Sequence, residues 1–208
     1  IDIIENFKKK VEKNTKVWRG NLSILQKKID TENFLLTIKE YNFLDNIDLF
    51  SLDIDSIDYW ILEKLPNKFS KIIVAEYNPY FGSEFNITVP NDPDFNRTNY
   101  HYSNLCFGAS LKSIVKLLSN KGFIFLGTNL FRNNAFFINE DFKDNISIEI
   151  PDPNNLSKFT NAYFRESRDL NNKLTLISPE KILNKIKDCK VVDLSNKLKE
   201  IKKISELI

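Results

Sequence analysis

Short apolar strands alternate with amphipathic helices along this chain, which narrows its fold to an α/β sheet, largely parallel. Ile47-Asp48-Leu49-Phe50-Ser51-Leu52 reads as a strand. Tyr59, Trp60, Leu62 and Leu65 then mark a helix that Pro66 closes. Ile72-Ile73-Val74-Ala75 is a continuous apolar run of the buried parallel type. Upstream, residues 1–4 read as a strand remnant, a basic helix runs through Phe7 and Val11, and residues 16–18 form a second short strand. A helix through Phe34, Leu35 and Ile38 starts after Asp30 or Thr31, either of which suits an N-cap.

Residues 77–108 show little periodicity and are rich in Asn, Asp, Pro and Tyr, the mark of a long functional loop. Leu111, Ile114, Val115, Leu117 and Leu118 then define a helix, with Gly122 at its C′ position. Residues 123–126 and 135–138 are strands close enough to pair as a hairpin. Past Pro151 the chain turns polar, then carries a helix from Ser178-Pro179 and a short strand at Val191-Val192. Leu194, Leu198, Ile201, Ile204 and Ile208 fall on one face of a closing helix. The whole reads as a single domain over 1–208 with a C-terminal helical extension at about 151–208.

Composition excludes several functions. Thirty basic residues against 28 acidic leave +2, so there is no charge excess for binding nucleic acid. No apolar run approaches the roughly 20 residues of a membrane span, and two cysteines, Cys106 and Cys189, suit a reducing, cytoplasmic setting. They read as buried, inert thiols. The one histidine, His101, removes multi-histidine metal sites. A chain without methionine that opens Ile1-Asp2-Ile3-Ile4 reads as a fragment or processed product.

Ligands of an open parallel sheet bind outside the carboxyl ends of its strands. Acids follow three strand ends here: Glu5, the pair Asp53 and Asp55, and Glu76, with Asn78 two residues on. Such carboxylates hydrogen-bond ribose hydroxyls, bind a cation or accept a substrate proton. They also cap helix N-termini, where a carboxylate is favoured with no function attached. Asp53-Ile54-Asp55 fits two metal-dependent patterns as well. One is the aspartate nucleophile of haloacid-dehalogenase-type phosphatases, and the other is the D-x-D of glycosyltransferases. The phosphatase pattern needs a later acidic pair, and no apolar strand leads into one. Tyr100 and His101, in the long loop, are acceptor-site candidates; the other reading of His101, as a lone loop histidine, is a solvated surface residue.

The run from Ile47 to Trp60, centred on Ser51-Leu52-Asp53-Ile54-Asp55, resembles the signature of the bacterial FkbM-like methyltransferases. The resemblance continues through Val74-Ala75-Glu76-Tyr77-Asn78-Pro79, Thr88-Val89-Pro90, Phe107-Gly108-Ala109-Ser110-Leu111 and Asn134-Ala135-Phe136-Phe137. It implies a Rossmann-like fold using S-adenosylmethionine (SAM) to methylate oxygen of a small or saccharide-linked acceptor, with no metal. On that template Glu5 contacts the cofactor ribose, and Asp53 lies beside the methionine moiety. Asp55 and Glu76 become the catalytic acids; Asn78, Tyr100 and His101, read from their positions in the chain and not from the resemblance, are the candidates for the acceptor side. Two departures stand out: the family's earlier strand and glycine-containing loop have no counterpart before Ile1, and Ser56-Ile57 replaces its Gly-Asn. A non-catalytic Rossmann-like module, kept for binding or assembly, is the alternative from another class.

Overall fold

Asp30 sets where the first described helix begins. Its carboxylate accepts the backbone N–H groups of Glu32 and Asn33, at 2.9 and 2.8 Å, and the turn leads into α1, Phe34–Glu40. The computed structural model describes residues 24–43, 45–161 and 167–208. The expected strands at 1–4 and 16–18, the basic helix between them, and Glu5 lie outside the described residues.

Next come β1 (Ile47–Leu52), α2 (Asp58–Lys64) and β2 (Ser70–Glu76), with the bounds that periodicity and Pro66 imply to within a residue or two. β1 and β2 pair in parallel, Leu49 opposite Ile72 and Leu52 opposite Ala75. The helix between them buries Tyr59, Ile61 and Leu62 on the sheet. Leu111–Ser119 forms α4, whose apolar face joins the same core. Ser110 caps it by accepting the Ser113 N–H at 3.2 Å. Its C-cap is Asn120, so Gly122 lies one residue past the expected C′ position, at φ +84°. β4 (Phe123–Thr128) and β5 (Asn134–Asn139) form the expected hairpin, and Asn129 ties its turn by accepting the N–H groups of Asn133 and Asn134.

The described sheet order is β1-β2-β5-β4, with one parallel pairing and two antiparallel ones. The sheet is therefore mixed α/β where the sequence reading has it largely parallel. The cause is the return of the hairpin: β5 runs back along β2, placing Glu76 opposite Asn134.

Residues 77–108 carry more structure than their composition suggests. They contain a 3₁₀ turn (Pro79–Phe81), β3 (Ile87–Thr88) and α3 (Arg97–Tyr100). Tyr80, Phe81, Ile87, Val89, Leu105 and Cys106 are buried in a second apolar core, shared with the C-terminal part. That part holds α5 (Ser157–Thr160), β6 (Ser167–Arg168), β7 (Leu174–Thr175), α6 (Pro179–Lys185), β8 (Lys190–Asp193) and β9 (Glu200–Lys203).

The expected closing helix over Leu194 to Ile208 is instead a β-hairpin followed by a 3₁₀ turn, Ile204–Glu206. Only Leu194 and Ile204 of its five apolar residues are buried, while Leu198, Ile201 and Ile208 are exposed. Spacing alone is compatible with a helix here, but β8 already stands against β3 with a free edge, and backbone pairing to that edge wins. The segment 151–208 thus mixes strands with short helices. No helix among the described residues is long and apolar enough to cross a membrane.

Candidate functional site

Parallel register brings the strand-end acids together. Because Leu52 stands opposite Ala75, Asp53 emerges beside Glu76 at the carboxyl edge of the sheet. Carboxylate oxygens of Asp53, Asp55 and Glu76 all lie within 4.8 Å of one another. Asp53 and Asp55 are exposed and Glu76 is buried, so the cluster is anchored in the core and open on one side. Glu76 adds a third carboxylate beside the D-x-D pair. It arrives from the next strand rather than from a later acidic pair.

The turn after β1 is built by an acid that sequence reasoning passed over. Asp58, 1% exposed, accepts the N–H of Ile54 on one oxygen and the N–H of Ser56 on the other, each at 3.0 Å. Burial pushes its pKa up to about 6, against the pull of those backbone bonds and with a further push from Asp53. The clamp bends the chain tightly enough that Asp55 takes a left-handed conformation, φ +57°, which aspartate tolerates better than most residues. The N-cap of α2 is Ile57, without a side-chain cap bond, so Asp55 is not the helix cap that the alternative reading allowed.

Asp55 instead pairs with Arg97. That guanidinium also donates to the Asn104 carbonyl at 3.0 Å and stacks 4.2 Å from the Phe107 ring centroid. Arg97 was not among the predicted site residues. Its one sequence signal is a lone cation in a long Asn- and Asp-rich segment. It brings residues 77–108 onto the acid cluster and sets the direction of the Asp55 carboxylate.

Beside Asp53 opens a cleft of about 380 Å³ between α1, the end of β1 and residues 93–95. Phe34, Ile38, Phe50 and Phe95 form apolar walls, with Lys27 and Lys28 at the rim. An apolar slot with an acid at its edge suits a ligand with a flat apolar body and polar hydroxyl or cationic groups.

The predicted acceptor-side residues are held by partners of their own. Asn78 is fully buried. Its amide donates to the carbonyls of Leu105 and Phe107 at 2.9 and 3.0 Å, and its oxygen accepts the Tyr80 N–H at 3.0 Å. Full burial leaves it no surface to offer an acceptor, which corrects its place in the predicted set: Asn78 pins residues 77–108 to the end of β2. Asn78→Ala should therefore lower the unfolding free energy by roughly 2–4 kcal/mol, several backbone groups losing a buried partner at once. Chemical denaturation checks this, and a change within 0.5 kcal/mol would remove the clamp.

Tyr100 donates its hydroxyl to the Lys190 carbonyl of β8 at 2.6 Å, and burial raises its pKa above the ordinary phenol value. His101 Nδ1 lies 2.6 Å from Ser103 Oγ. Burial first, then Lys185, holds the imidazole below its ordinary pKa, opposed by Asp188. Both residues thus face the C-terminal elements. Set against protein-family models, curated proteins and solved structures, the chain finds no match in any of the three.

Proposed function

We propose that this chain is a SAM-dependent methyltransferase of the FkbM-like type, acting on oxygen of a small or saccharide-linked acceptor. The observation that carries the reading is the gathering of Asp53, Asp55 and Glu76 at the carboxyl edge of β1 and β2, beside an apolar-walled cleft. The residues fit the cofactor in kind. The cleft offers walls for a nucleoside and Asp53 for its polar groups, while three carboxylates favour a cationic sulfonium and ammonium. When bound, the cofactor supplies a methyl already activated by its positive sulfur, so alignment is the main task left to the protein.

Asp53, at the cleft, holds the cofactor. Asp55, steered by Arg97, and Glu76, anchored in the core, orient the acceptor hydroxyl. With a methyl donor held at the cleft, one of these two would accept the hydroxyl's proton and return it to solvent. Glu5, to which the resemblance gives a ribose contact, adds nothing to this support because it lies outside the described residues.

A divalent cation held by the same acids is the second reading, favoured by Glu76 completing a three-carboxylate set with the D-x-D pair. Calorimetry separates the two. S-adenosylhomocysteine should bind saturably in the presence of EDTA, and Asp53→Asn should weaken it by about 10-fold or more through loss of one charge-assisted hydrogen bond. Nucleotide-sugar binding that appears only with Mn²⁺, with no response to S-adenosylhomocysteine, would replace the methyltransferase reading with the metal-dependent one. Binding of neither would leave a non-catalytic module.

A further inference from the structure

The one histidine of the chain, His101, builds the turn that follows α3 with its own ring. Its Nδ1 stands 3.3 Å from the Ser103 main-chain nitrogen and 2.6 Å from Ser103 Oγ. A backbone N–H can only donate, so Nδ1 accepts, and the ring is the neutral form with its hydrogen on Nε2. Ser103 is fully buried, so water cannot replace a bond lost there, and Asn104 beside it is held at φ +60°.

The turn is also a junction. The Ser103 carbonyl accepts the Arg168 N–H of β6 at 3.2 Å, and the Leu105 carbonyl accepts the Asn78 amide at 2.9 Å. Between them the Asn104 carbonyl accepts the Arg97 guanidinium at 3.0 Å, and the same guanidinium holds Asp55.

We propose that His101 is an acid-sensitive latch: its neutral ring keeps residues 101–105 closed, and protonation opens them and, through the Asn104 carbonyl, loosens the hold of Arg97 on Asp55. A proton on Nδ1 turns the acceptor into a second donor facing the Ser103 N–H. The ring must then swing away, leaving that buried N–H unpaired. His101 is half-buried, so solvent can deliver the proton. Among the described residues, two charged groups face the ring: Lys185 of α6, which opposes protonation, and Asp188, which favours it. Asp188 is shared with Lys203 of β9 at 3.9 Å. Burial first, then Lys185, keeps the imidazole below its ordinary 6.5, so the latch is shut at neutral pH and opens only on acidification. That a loosened Asp55 slows turnover rests on the methyltransferase reading; the latch itself does not.

Proton NMR of the full native chain reads the ring directly, since a lone histidine needs no assignment. Its titration midpoint should lie below 6.5. Across it, protection of the Ser103 amide from hydrogen exchange, corrected for intrinsic rates, should drop about 10-fold or more through loss of one hydrogen bond. The Arg97 guanidinium signals should shift with the same midpoint. His101→Asn is the control, because its side-chain oxygen can accept the N–H two residues on and does not titrate. In that variant both changes should vanish. The wild type should also lose melting temperature relative to it from about pH 7.5 to about pH 5, since the unfolded histidine takes its proton before the folded one. A midpoint at or above 6.5, steady Ser103 protection, or Arg97 signals that ignore the titration would each overturn the proposal. The wild-type spectra decide the matter even where His101→Asn fails to fold. Should all the expected changes appear while S-adenosylhomocysteine fails to bind, the latch stands and the methyltransferase reading falls.

Discussion

Asp55→Asn should lower methyl transfer by about 10²–10⁴-fold, the usual cost of removing a positioned proton acceptor, while leaving the fold intact. Asparagine keeps an oxygen for Arg97 and tolerates the left-handed φ of +57°, so the turn after β1 survives the change. What it loses is the negative charge and the capacity to hold the acceptor's proton. Release of S-adenosylhomocysteine with any accepted substrate reads the activity, and binding of the same compound to the variant reads the site. Wild-type turnover by Asp55→Asn would remove Asp55 from catalysis and leave Glu76 as the proton acceptor. Arg97→Gln is the companion variant. It should preserve cofactor affinity but slow turnover, because Asp55 then lacks the guanidinium that aims it.

Asp58→Ala should lower the unfolding free energy by roughly 2–4 kcal/mol at pH 7. The N–H groups of Ile54 and Ser56 both lose a charged acceptor, at about 1.5–3 kcal/mol for each such bond, offset in part by removal of a buried charge. The cost also depends on pH. With a folded pKa of about 6 against an ordinary 3.8, native Asp58 holds a proton that the unfolded chain has already released between those values. Its contribution is thus largest below about pH 4 and falls as pH rises through 6, by about 3 kcal/mol over the window. Asp58→Ala should erase that slope, making the variant's deficit larger at pH 4–5 than at pH 7. Urea titrations at several pH values check both the size and the slope, and parallel curves for wild type and variant would refute the pKa assignment. The same substitution should impair cofactor binding, because the turn that Asp58 braces carries Asp53 and Asp55.

The strands β1 and β2, the helices α2 and α4, and the β4–β5 hairpin were legible from residues alone because their signals are local. Pro66 ends one helix, Ser110 begins another, and runs such as Ile72-Ile73-Val74-Ala75 favour strand wherever they pack. The acids at two strand ends were legible for the same reason: a strand's end and the residue after it can be read without knowing its neighbour. What sequence could not say was whether those ends adjoin. Adjacency came from the parallel register of Leu52 with Ala75, which turned separate acids into a cluster.

Where local signals were ambiguous, long-range pairing decided. The apolar residues at 194, 198, 201, 204 and 208 satisfy helical spacing, yet the backbone of 200–203 found the open edge of β8 and became a strand. Residues 77–108 lack any period because their apolar side chains reach a second core from turns, and the buried amide of Asn78 holds those turns. The ion pair of Arg97 with Asp55, 42 positions away, belongs to this group as well. By itself the sequence determined the local elements, the α/β class and which acids stand at strand ends. The tertiary structure decided sheet polarity, the company each acid keeps and the fate of the C-terminal segment, because a contact between distant residues is set by packing and register rather than by the propensity of either partner.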